Sequence, residues 1–494
     1  MDSPPAWSLL YMTVTIQAAK RRFLFTGAFI LAVLWISVPP EVNAMMSIKQ
    51  EKEMRQQLLQ MVKNQVPIID DPDIIGYVSE LGHRVLEQVP VKFFDYQFFV
   101  IKDDGLNAFA MPGGLIFVHT GLIENIESDD ELVCVLAHEI GHVQGRHIAR
   151  RMDRMKKVNI ATAAMAIASL FLGSSEATSA LLASSQALNA SIALKYSRSD
   201  EEEADRRAYQ WICRAGYNPL GLVKTLKKMD RYRWLGTDAI PSYLSTHPGG
   251  DERFTYLEDL ARHKPCKIKS YRDPFRLKEV QVEIKAMTHE PAVLIREYRK
   301  KIKENPDDLF ALQGLALSLI KARDYEEALR VYDRLIKLAG ERHEFRVDQA
   351  RAYFAAGRYT RAATLLEQYT MDHPGDLTAR FYLAKSYLED GKPGKALSVL
   401  KKLEKKWHDP LNYYLETGRC YAAMDRPGEA HYYLYLYYRT LGNIATADYH
   451  KRRAKEILPS NSKLYSRLMD YSRQDPKHRK NTSEDRDDME KINR

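Results

Sequence analysis

A repeat of fixed length in the second half of the chain constrains its fold more than any other feature of the sequence. From about Leu309 onward, small residues recur every 34 residues in two registers, at Ala328, Ala362, Ala396 and Ala430 and at Ala316, Ala350, Ala384 and Gly418. Small side chains at these positions let the two helices of a repeat approach each other closely. The period therefore predicts a stack of similar helix pairs in which each pair packs against its neighbours.

The turns and flanks of this array carry matching signals. Gly357 and Gly391 mark turns between helices, and Pro374 closes a repeat. With the fixed period, these residues follow the tetratricopeptide pattern, which predicts an α-solenoid over residues 306–471. Residues 271–305 are expected to connect and cap the array, with a helix at residues 290–305, and another helix is expected at residues 443–457. The charged tail, residues 472–494, lacks apolar periodicity and is expected to be disordered.

The N-terminus predicts export. Basic residues 20–22 precede an apolar run from Phe23 to Val38, and Val42-Asn43-Ala44 is a small-residue pattern that a signal peptidase can cut. Residues 1–44 are therefore interpreted as a signal peptide. The alternative is a retained anchor, which is less favoured because the run is shorter than the roughly 20 residues that span a bilayer.

The charge pattern argues against nucleic-acid binding, and the cysteine spacing excludes a structural zinc ribbon. The formal charge of +9 comes from basic residues interspersed with acidic ones, and no nucleic-acid motif accompanies them, so no nucleic-acid partner is expected. Four cysteines without a Cys-x-x-Cys pair exclude a structural zinc ribbon. Cys134 and Cys213 lie in helical apolar patterns, which favours buried free thiols. An oxidising compartment would permit a disulfide, but spacing does not say which cysteines pair.

Residues 45–270 have the pattern of an α+β unit that is mostly helical. Helices are expected at residues 48–65 and 74–89, and a strand at residues 93–101. The segment from Asn107 to Thr120 predicts two short strands hinged at Pro112-Gly113-Gly114. Its first residues, Asn107, Ala108, Phe109 and Ala110, could form an edge strand that pairs with an extended substrate. A plain structural hairpin is the alternative.

A metal-binding motif lies in the next helix. Ser128 and Glu131 have the spacing of a capping box, and the apolar stripe that follows places His138-Glu139-Ile140-Gly141-His142 inside the helix. Two imidazoles four residues apart project from one face and can hold one Zn²⁺. Glu139 is offset around the helix, beside the metal rather than on it, where a carboxylate can act as a general base. Zinc supports this chemistry by lowering the pKa of water to about 7.

The third ligand must come from elsewhere. Gly145 fits a longer motif, but that motif requires a third His where Ile148 stands, and His147 is one residue early. Residues 159–163 contain no acid that could serve instead. Glu201 lies in the first turn of another helix, which opens through a capping box formed by Ser199 and Glu202, and it falls on the apolar stripe of that helix.

Glu201 and Asp205 lie one turn apart on that stripe, whereas Glu203 is expected to face solvent with Arg206 and Arg207. A carboxylate aimed at the core needs a partner, and a metal is a good one. We therefore expect one Zn²⁺ per chain, held by His138, His142 and Glu201. Asp205 is expected to hold a ligand histidine through its other ring nitrogen.

The chain resembles the HtpX and CAAX-protease type of zinc peptidase in four places: His138-Glu139-x-x-His142, Glu201-x-x-x-Asp205, Asn107-Ala108-Phe109-Ala110, and Thr246-His247-Pro248 with Arg253. With its repeats and export signal, it is most similar to the BepA branch, periplasmic proteases and chaperones of Gram-negative bacteria. The resemblance implies a gluzincin-type helical metalloprotease domain, zinc, Glu139 as catalytic base and Asp205 as a catalytic residue that donates a proton. It also implies a role in outer-membrane protein assembly.

Three further features leave alternatives open. His247 could reach the open zinc position and hold the enzyme latent, or it could bind the substrate carbonyl. Arg253 could stabilise the developing oxyanion, or form a surface ion pair with Asp251 or Glu258. The apolar segment 158–194 is interpreted as a lid over the cleft, with peripheral contact with a membrane surface as the alternative.

The sequence leaves two candidate functions, one enzymatic and one not. As an enzyme, the protein would cleave peptide bonds in unfolded or misassembled exported proteins in the periplasm, with the repeats recruiting clients or an assembly machine. As a non-enzyme, it would be a chaperone or scaffold whose zinc domain is mainly structural. The presence of Glu139 favours the enzyme, because a structural zinc site needs no base.

Overall fold

The computed structural model describes residues 46–154, 195–234, 242–248, 250–269, 274–340, 342–404, 407 and 410–473. The predicted signal peptide, the apolar segment 158–194 and most of the predicted tail lie outside these residues. The described part is mostly helical, with one small sheet and a helical-repeat region, so the predicted fold class is confirmed. None of its helices combines the length and apolar character that crossing a membrane requires.

The N-terminal region alternates short strands with helices. Its elements are α1 Ile48–Gln65, β1 Ile68–Ile69, α2 Pro72–Leu86, β2 Gln97–Ile101, β3 Ala108–Met111, β4 Leu115–His119, α3 Thr120–Asn125, α4 Asp129–Gln144 and α5 His147–Arg154. After residues 155–194 come α6 Arg198–Ala215, α7 Leu220–Trp234, α8 Ser242–Thr246 and α9 Gly250–His263. The predicted first helix, the hinged strand pair and both motif-bearing helices are therefore present.

The described strands form a four-stranded mixed sheet in the order β1-β2-β4-β3. Strand β2 pairs parallel to β4, whereas β3 pairs antiparallel to β4, with Phe109 opposite Phe117. Gly113 and Gly114 between β3 and β4 both have positive φ angles, which glycine adopts without steric cost. This order leaves β3 at one edge of the sheet, where it packs against α4.

The caps of α4 and α6 differ from those expected. Ser128 precedes α4, but its side chain makes no capping hydrogen bond. Instead, the Glu131 carboxylate accepts from the Glu127 N–H and forms ion pairs with Lys224 and Lys228 of α7. Ion pairs between Glu131 and α7 thus take the place of the local cap that was predicted for α4.

Helix α6 begins two residues earlier than predicted. Its capping box is formed by Ser197 and Asp200 rather than by Ser199 and Glu202. The Ser197 and Asp200 side chains hydrogen-bond each other's backbone N–H groups. Both patterns satisfy the same spacing rule, and only the three-dimensional contacts of Asp200, including its pair with Arg151, distinguish them.

The prediction of a free thiol at Cys213 is wrong. Cys213, near the end of α6, forms a disulfide with Cys266, and the two Cα atoms are 5.1 Å apart. Cys134 and Cys420 remain unpaired and buried. Helical apolar spacing identified a buried face, but it could not show that a residue 53 positions later returns to that face.

The repeat region follows two connecting helices, α10 Pro274–Thr288 and α11 Pro291–Glu304, where the sequence predicts one. The repeats are built from α12 Leu309–Lys321, α13 Tyr325–Ala339, α14 Glu344–Ala355, α15 Tyr359–Asp372, α16 Leu377–Glu389, α17 Pro393–Leu403, α18 Pro410–Ala423 and α19 Pro427–Thr440. Two helices follow them, α20 Ile444–Ile457 and α21 Lys463–Arg473. Ala328, Ala362 and Ala396 are fully buried, as the period requires.

An ionic cluster joins the repeats to the N-terminal region. Arg351 of α14 pairs with Asp71, the N-cap of α2, and with Asp73, to which its Nη1 atom lies at 2.5 Å. Glu283 of α10 lies 3.5 Å from the same nitrogen. Buried ion pairs of this kind depend on exact geometry, because an unmatched partner would be left charged without solvent. The cluster therefore fixes where the repeat array attaches.

The disulfide gives a direct test of the described arrangement of α6. Replacing both partners, Cys213→Ser with Cys266→Ser, should lower the free energy of unfolding by about 2–4 kcal/mol, since the cross-link closes a long loop in the unfolded chain. Chemical denaturation of the oxidised protein measures this. Reductant should destabilise the wild type to the level of the double variant and leave that variant unaffected. An unchanged wild-type midpoint in reductant would contradict the disulfide.

Candidate metal centre

Helices α4 and α6 bring three predicted ligands together in a buried space. The Nε2 atoms of His138 and His142 lie 2.9 Å apart. The Glu201 carboxylate lies 3.4 Å from His138 Nε2 through Oε2 and 3.3 Å from His142 Nε2 through Oε1. His247 joins them, and ligand atoms of all four residues lie within 4.8 Å of one another.

These separations match the geometry of tetrahedral zinc. Nitrogen and oxygen ligands at about 2.0–2.1 Å from a zinc ion are separated from one another by about 3.3 Å. The observed distances between the donor atoms of His138, His142 and Glu201 fall between 2.9 and 3.4 Å. Two imidazole nitrogens and a carboxylate at such distances repel each other unless a cation or a shared proton lies between them. The residues present therefore fit a metal ion.

The charges of the buried groups point the same way. Glu139, Glu201, Asp205 and Arg253 are all nearly or fully buried. The guanidinium balances one carboxylate, which leaves two negative charges if the carboxylates are ionised and the histidines neutral. Burying uncompensated charge is costly. A divalent cation would neutralise the site.

A glycine in the histidine motif permits the two helices to approach. A Cβ atom at Gly141 would lie 2.8 Å from the Ala204 carbonyl oxygen and 3.0 Å from its Cα. Such distances are too short for a carbon atom, so a larger residue would push α6 away from α4. Because Glu201 lies one turn before Ala204, this contact sets the distance between the histidines and the carboxylate.

Asp205 lies where it can orient His138. Its Oδ1 atom is 2.7 Å from His138 Nδ1, which leaves Nε2 facing the other donors. Burial opposes ionisation of Asp205, but the charges of Arg253 and His138 outweigh burial and lower its pKa. Burial and Arg253 disfavour protonation of His138, yet Asp205 and Glu201 prevail and raise its pKa to about 9. Tyr256 also donates to Asp205, at 2.7 Å.

The alternative prediction that Arg253 forms a surface ion pair with Asp251 or Glu258 is wrong. Its guanidinium is 4% exposed and reaches inward, where Nη1 lies 2.8 Å from Glu201 Oε2 and Nη2 lies 2.6 Å from Asp205 Oδ1. Burial opposes the charged form, but these two carboxylates hold the pKa well above its usual range. Burial likewise opposes ionisation of Glu201, and His247 and Arg253 outweigh it and lower its pKa. Arg253 thus binds both Glu201 and Asp205 of α6.

The carboxylate of Glu139 is fully buried. Among the described residues, neither of its carboxylate oxygens has a hydrogen-bond partner of normal geometry. Burial raises its pKa to about 8, and a smaller opposing effect comes from the backbone of Ala110 in edge strand β3. The edge strand and the predicted base are therefore neighbours, although the side chains of β3 are buried.

His247 lies directly against the donors. Its Nδ1 atom is 3.2 Å from His138 Nε2 and 3.1 Å from Glu201 Oε1. Its Nε2 atom is 3.7 Å from Glu139 Oε1. Burial lowers the pKa of His247 to about 4, which favours a neutral imidazole.

Some residues at the site were not predicted. Tyr243 of α8 stacks on His247, and Tyr196 stacks on His142, with ring centroids 4.3 and 3.8 Å apart. No sequence motif marks either tyrosine. His147, which the sequence argument set aside, contacts His142, and Glu203 contacts His147 rather than only solvent. The sequence signal that could have indicated the contact between His147 and His142 is the turn at Gly145 and Arg146.

Comparisons with known proteins identify the two regions. Residues 75–261 match the model of peptidase family M48, and residues 319–386 and 353–414 match a tetratricopeptide repeat model. The first match spans all four residues of the donor cluster. The family resemblance inferred from the sequence is confirmed.

Some relatives match over most of the chain, and others match over the peptidase region. The beta-barrel assembly-enhancing protease of Escherichia coli (strain K12) is 26% identical over 387 residues, which cover 77% of this chain and 78% of that protein. The protein of the same name from Yersinia pestis is 26% identical over 368 residues, covering 72% and 74%. The metalloprotease LoiP of Escherichia coli (strain K12) is 31% identical over 184 residues, covering 37% of this chain and 66% of that protein.

Gly141→Ala tests whether close helix approach builds the site. Overpacking against Ala204 should lower stability by about 1–3 kcal/mol, offset in part by the better helix propensity of Ala, and should weaken metal binding. Thermal unfolding and chelator competition measure the two effects. Gly76→Ala is the matched control, because Gly76 lies in α2 with no atom within 4 Å of an added Cβ. Metal affinity equal in both variants would contradict the argument.

Proposed function

We propose that this metalloendopeptidase, which joins a peptidase family M48 domain to tetratricopeptide repeats, is a zinc enzyme of the periplasm. Its substrates would be unfolded or misassembled exported proteins, in the course of outer-membrane protein assembly. One observation carries the enzymatic part: three donors lie at the spacing of tetrahedral ligands, and the buried carboxylate of Glu139, which makes no hydrogen bond of normal geometry with a described residue, lies beside them.

His138, His142 and Glu201 would hold the zinc ion. Two neutral imidazoles and one carboxylate are a ligand set that catalytic zinc uses, with one position left for water or substrate. When bound, zinc would polarise the peptide carbonyl and lower the pKa of water to about 7. Asp205 would keep His138 in the tautomer that presents Nε2, and its lowered pKa supports this role rather than proton donation.

Glu139 would accept the proton of the attacking water and return it to the leaving amine. Its oxygens could do so, because no described residue holds them in a hydrogen bond of normal geometry. A dication nearby favours the charged form of a buried carboxylate, which is the form a base needs. A structural site would not require a buried acid at this position, so the scaffold alternative leaves Glu139 unexplained.

An extended substrate would lie along β3. This strand is at the sheet edge and its Ala110 backbone is near Glu139. Pairing through the backbone from Asn107 to Ala110 would select little for side chains, which suits an enzyme that removes misassembled proteins of varied sequence.

The site as described is closed. His138, Glu139, His142, Glu201 and His247 are each no more than 2% exposed. His247 lies against the donors and Tyr243 stacks on it. We therefore favour the latch over the carbonyl-binding role for His247: it would occupy the position that water or substrate needs until α8 moves.

The pathway part of the proposal rests on the relatives and the repeats. Two relatives are named for enhancing beta-barrel assembly, and they align over more than two thirds of this chain. The repeats would recruit either clients or the assembly machinery. Helices stacked in this way present an extended surface for protein partners.

Glu139→Gln should abolish peptidase activity while zinc remains bound. Losing the general base should lower the rate at least about 10²–10⁴-fold, since Gln has nearly the same shape but cannot take a proton. Casein cleavage and metal content by elemental analysis measure the two properties. Glu252→Gln, on the exposed face of α9, makes the same charge change and should retain activity. Full cleavage by Glu139→Gln would refute the catalytic assignment.

His247→Ala should increase peptidase activity. If only a minor fraction of the wild type is open, freeing the fourth position could raise the rate by roughly tenfold. Initial rates on a fluorescent peptide, with zinc content checked, measure this. His263→Ala is the control, because His263 is an exposed histidine of the neighbouring helix. A loss of activity in His247→Ala would favour the carbonyl-binding role instead.

A further inference from the structure

His147 is in direct contact with a proposed zinc ligand, on the side of the His142 ring opposite the converging donor atoms. Its Nδ1 atom lies 2.7 Å from His142 Nδ1, and the two rings are nearly perpendicular, at 84°. His147 is fully buried, so this contact is not exchanged for water. It does not belong to the group of converging donor atoms, which contains His138, His142, Glu201 and His247. A fourth-ligand role for His147 does not fit this arrangement.

The backbone between the two histidines is shaped for this contact. Helix α4 ends at Gln144 with Gly145 as its C-cap, and α5 begins at His147. A Cβ atom at Gly145 would lie 2.1 Å from His147 Nε2, so only glycine leaves room for the ring. Arg146 has φ = 51°, a conformation that non-glycine residues seldom adopt. Glu51 of α1 holds the Arg146 guanidinium at 2.5 Å, which anchors the turn.

Hydrogen-bond chemistry then assigns the protons. Of two neutral imidazole nitrogens 2.7 Å apart, only one can carry the hydrogen. His142 must leave Nε2 unprotonated to bind a metal, so its Nδ1–H donates to His147 Nδ1. His147 then carries its hydrogen on Nε2, which lies 3.3 Å from Glu203 Oε2. Arg150 and Arg207 hold the Glu203 carboxylate at 2.8 and 2.7 Å.

We infer that His147 is a positioning residue that fixes the tautomer and ring orientation of His142, and that Glu203 in turn orients His147. The two ligand histidines are thus held differently. His138 donates to the carboxylate of Asp205, whereas His142 donates to a neutral imidazole that passes the hydrogen-bond chain on to Glu203. This inference rests on the proposed function, because it assumes that His142 Nε2 binds zinc.

The test compares two substitutions that differ in one acceptor atom. His147→Asn keeps an amide oxygen near the position of Nδ1, whereas His147→Leu fills similar space without an acceptor. Zinc affinity of the purified full-length chain, measured by competition with a chromophoric chelator, should fall roughly 10–100-fold in His147→Leu. His147→Asn should recover most of that loss. Glu203→Gln should weaken zinc binding less than His147→Leu, and Glu202→Gln, which alters an exposed pair with Arg206, should leave it unchanged.

If His147 only stabilised the fold, its replacement should lower the stability of the metal-free protein. Thermal unfolding with excess chelator reports the stability of the metal-free protein, in which a positioning bond to a ligand should matter little. The inference is wrong if His147→Leu binds zinc as tightly as wild type, or if Asn and Leu weaken binding equally. If zinc binding follows the expected order but Glu139→Gln still cleaves, the positioning role stands and the proposed catalysis fails. If His142→Ala keeps wild-type zinc affinity, the proposed site is wrong and this inference falls with it.

Discussion

The arrangement of residues around the candidate metal centre depends on one constraint, the mutual repulsion of its buried donor atoms. The Nε2 atoms of His138 and His142 and the carboxylate oxygens of Glu201 lie 2.9–3.4 Å from one another, in a space from which solvent is nearly excluded. Such an arrangement is stable only if a cation occupies the space or protons are shared within it. The close contact at Gly141, the Asp205 partner of His138 and the Arg253 guanidinium all serve to hold these donors in place. A single divalent ion, as proposed above, would account for much of the surrounding polar network.

The same burial that strengthens the site also closes it. A low-dielectric environment raises the pKa of Glu139 to about 8, and it makes each ion pair around Arg253 stronger than it would be in water. However, a peptide cannot reach donors that are no more than 2% exposed. The groups that cover them are His247 and the stacked Tyr243. Tyr243 belongs to the short helix α8, and His247 follows directly after the end of that helix. If His247 is the latch, the segment that carries Tyr243 and His247 would have to move to open the centre.

The repeats are attached close to the helices that carry this chemistry. Arg351 pairs with the first residues of α2, and α2 packs against α4, which bears His138 and His142. The connecting helix α10 contacts both α2 and the first repeat helix. The repeats are therefore joined through α2 and α10 to the helix that carries the two histidines.

Local periodicity determined what the sequence could predict by itself. A helical turn places residues four apart on one face, so the His138–His142 pair, and Glu201 with Asp205, could be assigned to helix faces from spacing alone. A fixed 34-residue step likewise determined the stacked helix pairs, because each repeat contacts mainly its neighbours. Tertiary structure decided which distant segments meet: Arg253 with the α6 carboxylates, Cys213 with Cys266, and His147 with His142. It also chose between equivalent caps, moving the start of α6 to Ser197. These outcomes depend on packing distances between remote segments and on the exclusion of water, and no local pattern in the chain encodes either of them.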